Sequence, residues 1–266
     1  MNNLFLSSYE LKLCRDFIDN GFLVMDVESE NSLNNIRSTL QSLLKLEINK
    51  NQTIAESDWL NQYHKLNTKK NLNETRLNIL NSFNSKKTSN IELYTVVKNT
   101  VTSLVGNELA MQKNINLSIQ LPKDRSSLLD IHADTWGGNS AFELAVWLPL
   151  VDCHDTKSMY ILPKTEYGKF ENKLLSITNP DSEMIYQICK KEVIFMEIKY
   201  GQVLLFNPML PHGNLVNNEI ETRWSLNYRF KNLFTPYGDK KIGEYFDPII
   251  IRPCTQNGLD YKHPNL

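Results

Sequence analysis

Cysteine is scarce here and never closely spaced. Cys14, Cys153, Cys189 and Cys254 are scattered, and no Cys-x-x-Cys occurs. A disulfide framework is not expected of four such cysteines in a chain of 266 residues. Charge of one sign is not in excess either. The 29 Lys and Arg nearly balance the 30 Asp and Glu, for a formal net charge of −1. That excludes a generic nucleic-acid or membrane-surface binder. No apolar run approaches the roughly 20 residues of a membrane span. The start, Met1-Asn2-Asn3-Leu4-Phe5-Leu6, lacks the basic and apolar regions of a secretory signal. There is no internal repeat and no clear linker. Matches to Asn-x-Ser/Thr, such as Asn51-Gln52-Thr53 and Asn73-Glu74-Thr75, are what chance gives in an Asn-rich chain. The expectation is one soluble, cytoplasmic domain over 1–266, acting on a small molecule, without nucleic-acid or membrane partners. The sequence leaves its oligomeric state open.

The first hundred residues read as helices. Ser7 or Ser8 can cap a helix carrying Leu11, Cys14, Phe17 and Ile18, and Asn20-Gly21 stops it. A short strand, Phe22 to Met25, follows. Further helices are expected over Ser29–Leu46, Leu72–Phe83 and Ile91–Leu104, each with an apolar stripe. Trp59, Leu60, Tyr63 and Leu66 suggest a helical piece covering something apolar in the otherwise polar 50–70 stretch. After about residue 107 the texture becomes β. Ile115, Leu117, Ile119 and Leu121 alternate with polar residues. Strands are also expected at Leu128–His132, Phe142–Leu150, Met159–Leu162, Lys190–Glu197, Val203–Phe206 and Trp224–Phe230. Phe142–Leu150 should be buried on both faces. Many short strands without helical repeats between them favour an α+β fold with an antiparallel jelly roll, a cupin-like double-stranded β-helix. On this reading 1–106 is a helical scaffold, 107–234 the barrel and 235–266 a tail wrapping it.

Three stretches carry the chemistry. In Leu128-Leu129-Asp130-Ile131-His132-Ala133-Asp134, the imidazole of His132 and the carboxylate of Asp134 stand two residues apart. In extended backbone such residues share a face. His-x-Asp alone is a weak signal. Its companions are His212, between Pro211 and Gly213 just after an apolar strand, and Arg223, eleven residues further on. Two histidines and one carboxylate form the face that holds non-haem Fe(II) with coordination positions left open. Arg223 offers a planar fork for a carboxylate, and Ser225, two residues on, can donate beside it. Together they describe a site for the far carboxylate of a 2-oxo acid whose near end chelates iron, with O2 as co-reactant. Along the last strand Trp224, Leu226, Tyr228 and Phe230 make an apolar face. Arg223, Ser225, Asn227 and Arg229 share the other, which needs anionic or polar company if buried.

His-x-Asp, a distant His and Arg-x-Ser together resemble the Fe(II)/2-oxoglutarate-dependent dioxygenases. Asn20-Gly21-Phe22, Trp147-Leu148-Pro149-Leu150-Val151-Asp152, Leu162-Pro163 and Gly201-Gln202-Val203-Leu204-Leu205-Phe206 resemble the phytanoyl-CoA dioxygenase-like branch. The likeness is loose before residue 107 and close from Ile115 to Arg229. From Leu117 to Leu162 it is most similar to oxygenases of carbohydrate and aminoglycoside gene clusters. The resemblance implies oxidation of an unactivated C–H, coupled to decarboxylation of 2-oxoglutarate. The implied substrate is a sugar, nucleotide-sugar or aminoglycoside-type intermediate. Lys157-Ser158 and Lys164-Thr165-Glu166 depart from the branch's usual Asn-Gly and Gly-Ser-His, on the expected substrate side.

Lesser candidates follow. Gln120, at the end of a strand, could bond the cosubstrate, although such a glutamine is commonly just solvated. Trp136, Asn227 and Arg229 are candidates for substrate contact, and Trp147 for core. Asp130 shares parity with His132 and Asp134 but is read as structural, and His154-Asp155 as a solvated loop. Two rival classes remain. A cupin-like metal isomerase or hydrolase would have no need of Arg223-x-Ser225, and a metal-free binding module would not need the triad.

Overall fold

A computed structural model describes residues 5–264. Its first element, α1 (Ser8–Asn20), begins with a capping box. Ser7 Oγ accepts from the Glu10 amide, and the Glu10 carboxylate accepts from the Ser7 amide. It ends at Gly21, whose φ of 79° suits only a residue without Cβ. There follow β1 (Phe22–Asp26), α2 (Glu30–Glu47), α3 (Leu72–Asn84), α4 (Lys87–Thr95) and α5 (Lys98–Val105). Between α2 and α3 lie only two short 3₁₀ turns, yet Trp59, Leu60, Tyr63 and Leu66 are buried as their apolar character requires.

The helix expected over Ile91–Leu104 is two helices. The break at Val96-Val97 is held by Glu28. Its amide donates to the Val96 carbonyl, and its carboxylate accepts from the amides of Asn99 and Thr100 and from the Thr100 hydroxyl. A carboxylate borrowed from 71 residues away thus caps α5. Local periodicity carries no trace of it.

The β part comprises β2 (Leu109–Gln112), β3 (Asn116–Gln120), β4 (Glu143–Pro149), β5 (Tyr160–Ile161), β6 (Ile194–Phe195), β7 (Gln202–Phe206), β8 (His212–Gly213), β9 (Arg223–Asn232) and β10 (Phe246–Ile250). Helices α6 (Lys164–Leu175) and α7 (Ser182–Cys189) intervene, and α8 (Pro253–Asp260) comes last. All pairings between these strands are antiparallel. The larger sheet runs β1-β7-β4-β9-β2-β10, with β3 also on β9; the smaller runs β6-β5-β8. The ten-residue β9 is the spine. One edge pairs with β4, the other first with β3 and then with β2. No helix among the described residues is long and apolar enough to cross a membrane.

Several expectations change. Leu128–His132 is not a strand: only His132 finds a ladder partner, His212, and Leu129 is 55% exposed. β2 was not foreseen, nor were α6 and α7, which fold over β5 and bury Phe170 and Cys189. Of Lys190–Glu197 only Ile194 and Phe195 pair. The segment after residue 235 supplies an edge strand and a helix. β4, by contrast, is buried along its whole length, as its apolar run requires.

The alternation along β9 sets up the site. Trp224, Tyr228 and Phe230 point to the helical layer. Trp224 meets Tyr63 edge-on at 5.4 Å, Phe230 meets Tyr94 at 6.0 Å, and Tyr228 Oη donates to the Leu93 carbonyl at 3.0 Å. The opposite face therefore looks away from the helices, toward the smaller sheet.

Candidate metal centre and anion pocket

A cavity of about 330 Å³ lies between the two sheets. Arg223, Ser225, Asn227 and Arg229 all line it, so the polar face of β9 is its floor. β3 runs alongside with Asn116 opposite Asn227, Ser118 opposite Ser225 and Gln120 opposite Arg223.

His132 and His212 form a mutual backbone bridge, each amide donating to the other's carbonyl at 2.8–2.9 Å. That bridge sets their rings 4.3 Å apart. His132 Nδ1 lies 2.8 Å from the Asp130 carbonyl and His212 Nδ1 lies 2.9 Å from the Leu210 carbonyl. A carbonyl can only accept, so Nδ1 carries the proton on each ring and Nε2 keeps its lone pair. Burial pushes the His212 imidazole down to about 4, which keeps it neutral at pH 7. The Asp134 carboxylate completes the group, with Oδ1 3.9 Å from His132 Nε2. One ligand atom from each of His132, Asp134 and His212 lies within 4.8 Å of the others. The sequence placed these three residues together, and the fold brings them together. Phe206 packs edge-on against the His212 ring at 4.8 Å and fixes its plane.

Arg223 is 4% exposed. Its Nη2 donates to Ser118 Oγ at 3.0 Å, while Nε and Nη1 have no partner. No carboxylate among the described residues pairs with it. Burial lowers its pKa to about 10, still well above neutrality, so it is a charged group out of water. Ser225 Oγ and Asn227 Oδ1 are buried without partners as well.

Arg229 is placed otherwise. Its Nε donates to Asp134 Oδ2 at 3.2 Å and its Nη2 to Asp134 Oδ1 at 2.5 Å. Arg229, a candidate for substrate contact, lines the cavity and also grips a candidate metal ligand. Gln120 is fully buried, but its amide nitrogen donates to the Leu215 carbonyl and it is not part of the cavity lining. Trp136 sits in the turn that Asp134 opens, is 45% exposed and is not among the residues lining the cavity. Trp147, expected in the core, is buried and also lines the cavity. Asp130 is structural, its carboxylate accepting from Ser182 Oγ. Lys157, where the chain departs from the resembled branch, is buried and donates to Glu221 and Asn61.

Sequence reasoning missed Asn116, Ser118, Met159 and Asn214 in the cavity wall. Asn116-x-Ser118-x-Gln120 carries the same period-2 signal as β9 and could have found the first two.

No family model matches the sequence, and no curated protein matches it. Solved structures do. ThoJ, a non-heme monooxygenase solved with nickel, aligns with a TM-score of 0.55 at 14% identity, over 88% of this chain and 82% of its own. SnoK, a non-heme alpha ketoglutarate dependent carbocyclase from nogalamycin biosynthesis, aligns at 0.56 and 13%, over 92% and 97%. EctD from S. alaskensis, solved with 2-oxoglutarate and 5-hydroxyectoine, aligns at 0.54 and 14%, over 89% and 80%. At such identities the likeness is one of fold. The chain has the α+β fold of these non-haem oxygenases.

Proposed function

We propose that this protein is a non-haem Fe(II) and 2-oxoglutarate-dependent oxygenase of the phytanoyl-CoA dioxygenase-like branch. One observation carries the reading: a buried, charged and unpaired guanidinium shares a cavity with a two-histidine, one-carboxylate cluster. A buried charge without a partner costs several kcal/mol. Arg223 therefore calls for an anion, and its free Nε and Nη1, beside Ser225 Oγ, suit a carboxylate.

The donor set fits the metal. Two neutral imidazole nitrogens and one carboxylate oxygen on one side leave the other side open, as an Fe(II) oxygenase needs. Iron with 2-oxoglutarate and O2 supplies oxidative decarboxylation and C–H oxidation. The chain does the rest. His132, Asp134 and His212 would hold the metal. Arg223 and Ser225 would bind the distal carboxylate and so fix the orientation of the 2-oxo end. The apolar walls, Leu117, Leu129, Trp147 and Met159, exclude water. Asn116 and Asn227 give the cavity neutral polar groups, Asn227 Oδ1 without a partner, which suits a polyhydroxylated small molecule, a sugar or nucleotide-sugar or an aminoglycoside-type intermediate. Hydroxylation of one of its carbons is the outcome proposed. The two sheets are read as a jelly-roll barrel within one domain over 1–266, and the protein as cytoplasmic.

Succinate formation from 2-oxoglutarate tests the proposal. Iron-dependent, O2-dependent succinate release is expected of the wild type, and its loss in Asp134→Ala. Arg223→Met should raise the 2-oxoglutarate requirement by about tenfold or more, since it removes a charge-assisted hydrogen-bond pair. Succinate release undiminished in Asp134→Ala would overturn the assignment.

A further inference from the structure

Two arginines stand six residues apart on the same face of β9, in the same cavity, in opposite states. Arg223 keeps Nε and Nη1 free. Arg229 has every nitrogen engaged. Nε and Nη2 grip the two oxygens of Asp134, while Nη1 donates to Gln112 Oε1 at 3.1 Å and to Tyr245 Oη at 3.3 Å. Gln112 ends β2 and Tyr245 immediately precedes β10, so the fork is held from behind by two strands. Both Arg229 and Asp134 are buried, with side-chain exposures of 7% and 5%.

We infer that Arg229 is a positioning residue that restricts Asp134 to one-oxygen coordination and thereby keeps free the position that O2 needs beside a chelating 2-oxo acid. The inference rests on the proposed function. A carboxylate oxygen has two lone pairs, one on the side shared with the other oxygen and one facing away. The parallel fork takes the shared-side pair of each oxygen, Nη2 on Oδ1 and Nε on Oδ2. Oδ1, the oxygen facing His132 Nε2, keeps its outward pair to offer the metal. Two-oxygen chelation needs both shared-side pairs and would have to break the fork, and among the described residues no other side chain donates to Oδ2. A triad that fills three positions leaves three of six open. A bidentate aspartate would fill a fourth, leaving two for a chelating 2-oxo acid and none for O2. The planar guanidinium suits this task where a point charge does not, because it addresses both oxygens at once.

The test uses the full-length protein under anaerobic conditions with Fe(II) and 2-oxoglutarate as probes. Three variants are compared with wild type: Arg229→Met removes both donors, Arg229→Lys keeps the charge without the fork, and Gln112→Leu loosens the fork from behind. The readouts are iron affinity, the visible charge-transfer band of the iron–2-oxoglutarate chelate, the rate at which that band bleaches when O2 is then admitted, and thermal unfolding as a check on folding. Iron binding and the 2-oxoglutarate concentration needed for the band should stay within about threefold of wild type in Arg229→Met and Arg229→Lys. Bleaching by O2 should slow about 10- to 100-fold, the range that outer groups command at metal sites. Gln112→Leu should move the same way by less. If Arg229→Met fails to fold, Arg229→Lys and Gln112→Leu decide. Bleaching by O2 as fast as in wild type overturns the inference, as does a parallel loss of iron and 2-oxoglutarate binding. Absence of the band in wild-type protein would instead overturn the proposed function, so the two failures are distinct.

Discussion

At the scale of single residues the site is governed by which buried polar atoms are satisfied and which are not. His132 and His212 each spend Nδ1 on a carbonyl two residues back, so backbone geometry leaves Nε2 of each ring free. His212 carries a pH signature. Burial depresses its folded pKa to about 4 from an ordinary 6.5, so between those values the unfolded chain binds a proton that the folded one does not. The sign follows from linkage: stability falls as pH drops through this window and is flat above it. Chelator-treated protein should lose roughly 3 kcal/mol of His212-linked stability between pH 6.5 and 4. His212→Gln should flatten that slope. Urea unfolding across the range checks it, and an unaltered slope in the variant would refute the role of His212. What was legible at this scale was local. The alternation of Arg223, Ser225, Asn227 and Arg229 follows from strand geometry alone, whereas His132 and Asp134 flank the single extended residue Ala133 outside any strand. That Arg229 grips Asp134 was not legible, because the pair joins residues 95 apart in the chain. Nor could Trp136 be placed, since a 3₁₀ turn after Asp134 turns it outward.

At the scale of elements, strands with clear alternation or a continuous apolar run were readable and those with weak patterns were not, whatever their number of neighbours. β3 announces itself by alternation, and β4 and β7 by continuous apolar runs. β2 lacked alternation, being buried at all four positions, and is too short to stand out. In α6 the positions Tyr167, Phe170 and Leu174 keep helical spacing, but the surrounding lysines and Gly168 weaken the pattern. The division between α4 and α5 depends on Glu28, a tertiary cap. Glu28→Ala should therefore lower unfolding free energy by about 1 kcal/mol, the usual value of a helix N-cap. It should leave iron binding unchanged, because the cap lies on the helical layer and not in the cavity. Chemical denaturation of the two proteins side by side measures the first effect, and no change in midpoint would remove Glu28 from this role.

At the scale of the whole molecule, two antiparallel sheets lie on either side of one cavity, and a helical layer covers the far face of the larger sheet. This arrangement explains the division of labour on β9. Its apolar face is buried against α4 and the segment around Tyr63, and its polar face lines the cavity. Of the two arginines this strand takes out of water, Arg229 is paired with a carboxylate and Arg223 is not, and the proposed function gives Arg223 the carboxylate of a ligand. That unpaired guanidinium beside the His132–Asp134–His212 cluster is the centre of the account. The measurement that tests it most directly is an anaerobic titration of the wild-type protein with Fe(II) and 2-oxoglutarate, repeated with Arg223→Met and His212→Ala. The account predicts a weak visible charge-transfer band that needs both additions, is shifted to much higher 2-oxoglutarate by Arg223→Met, and is abolished by His212→Ala. Iron binding without any such band in the wild type, or a band indifferent to Arg223, would contradict it.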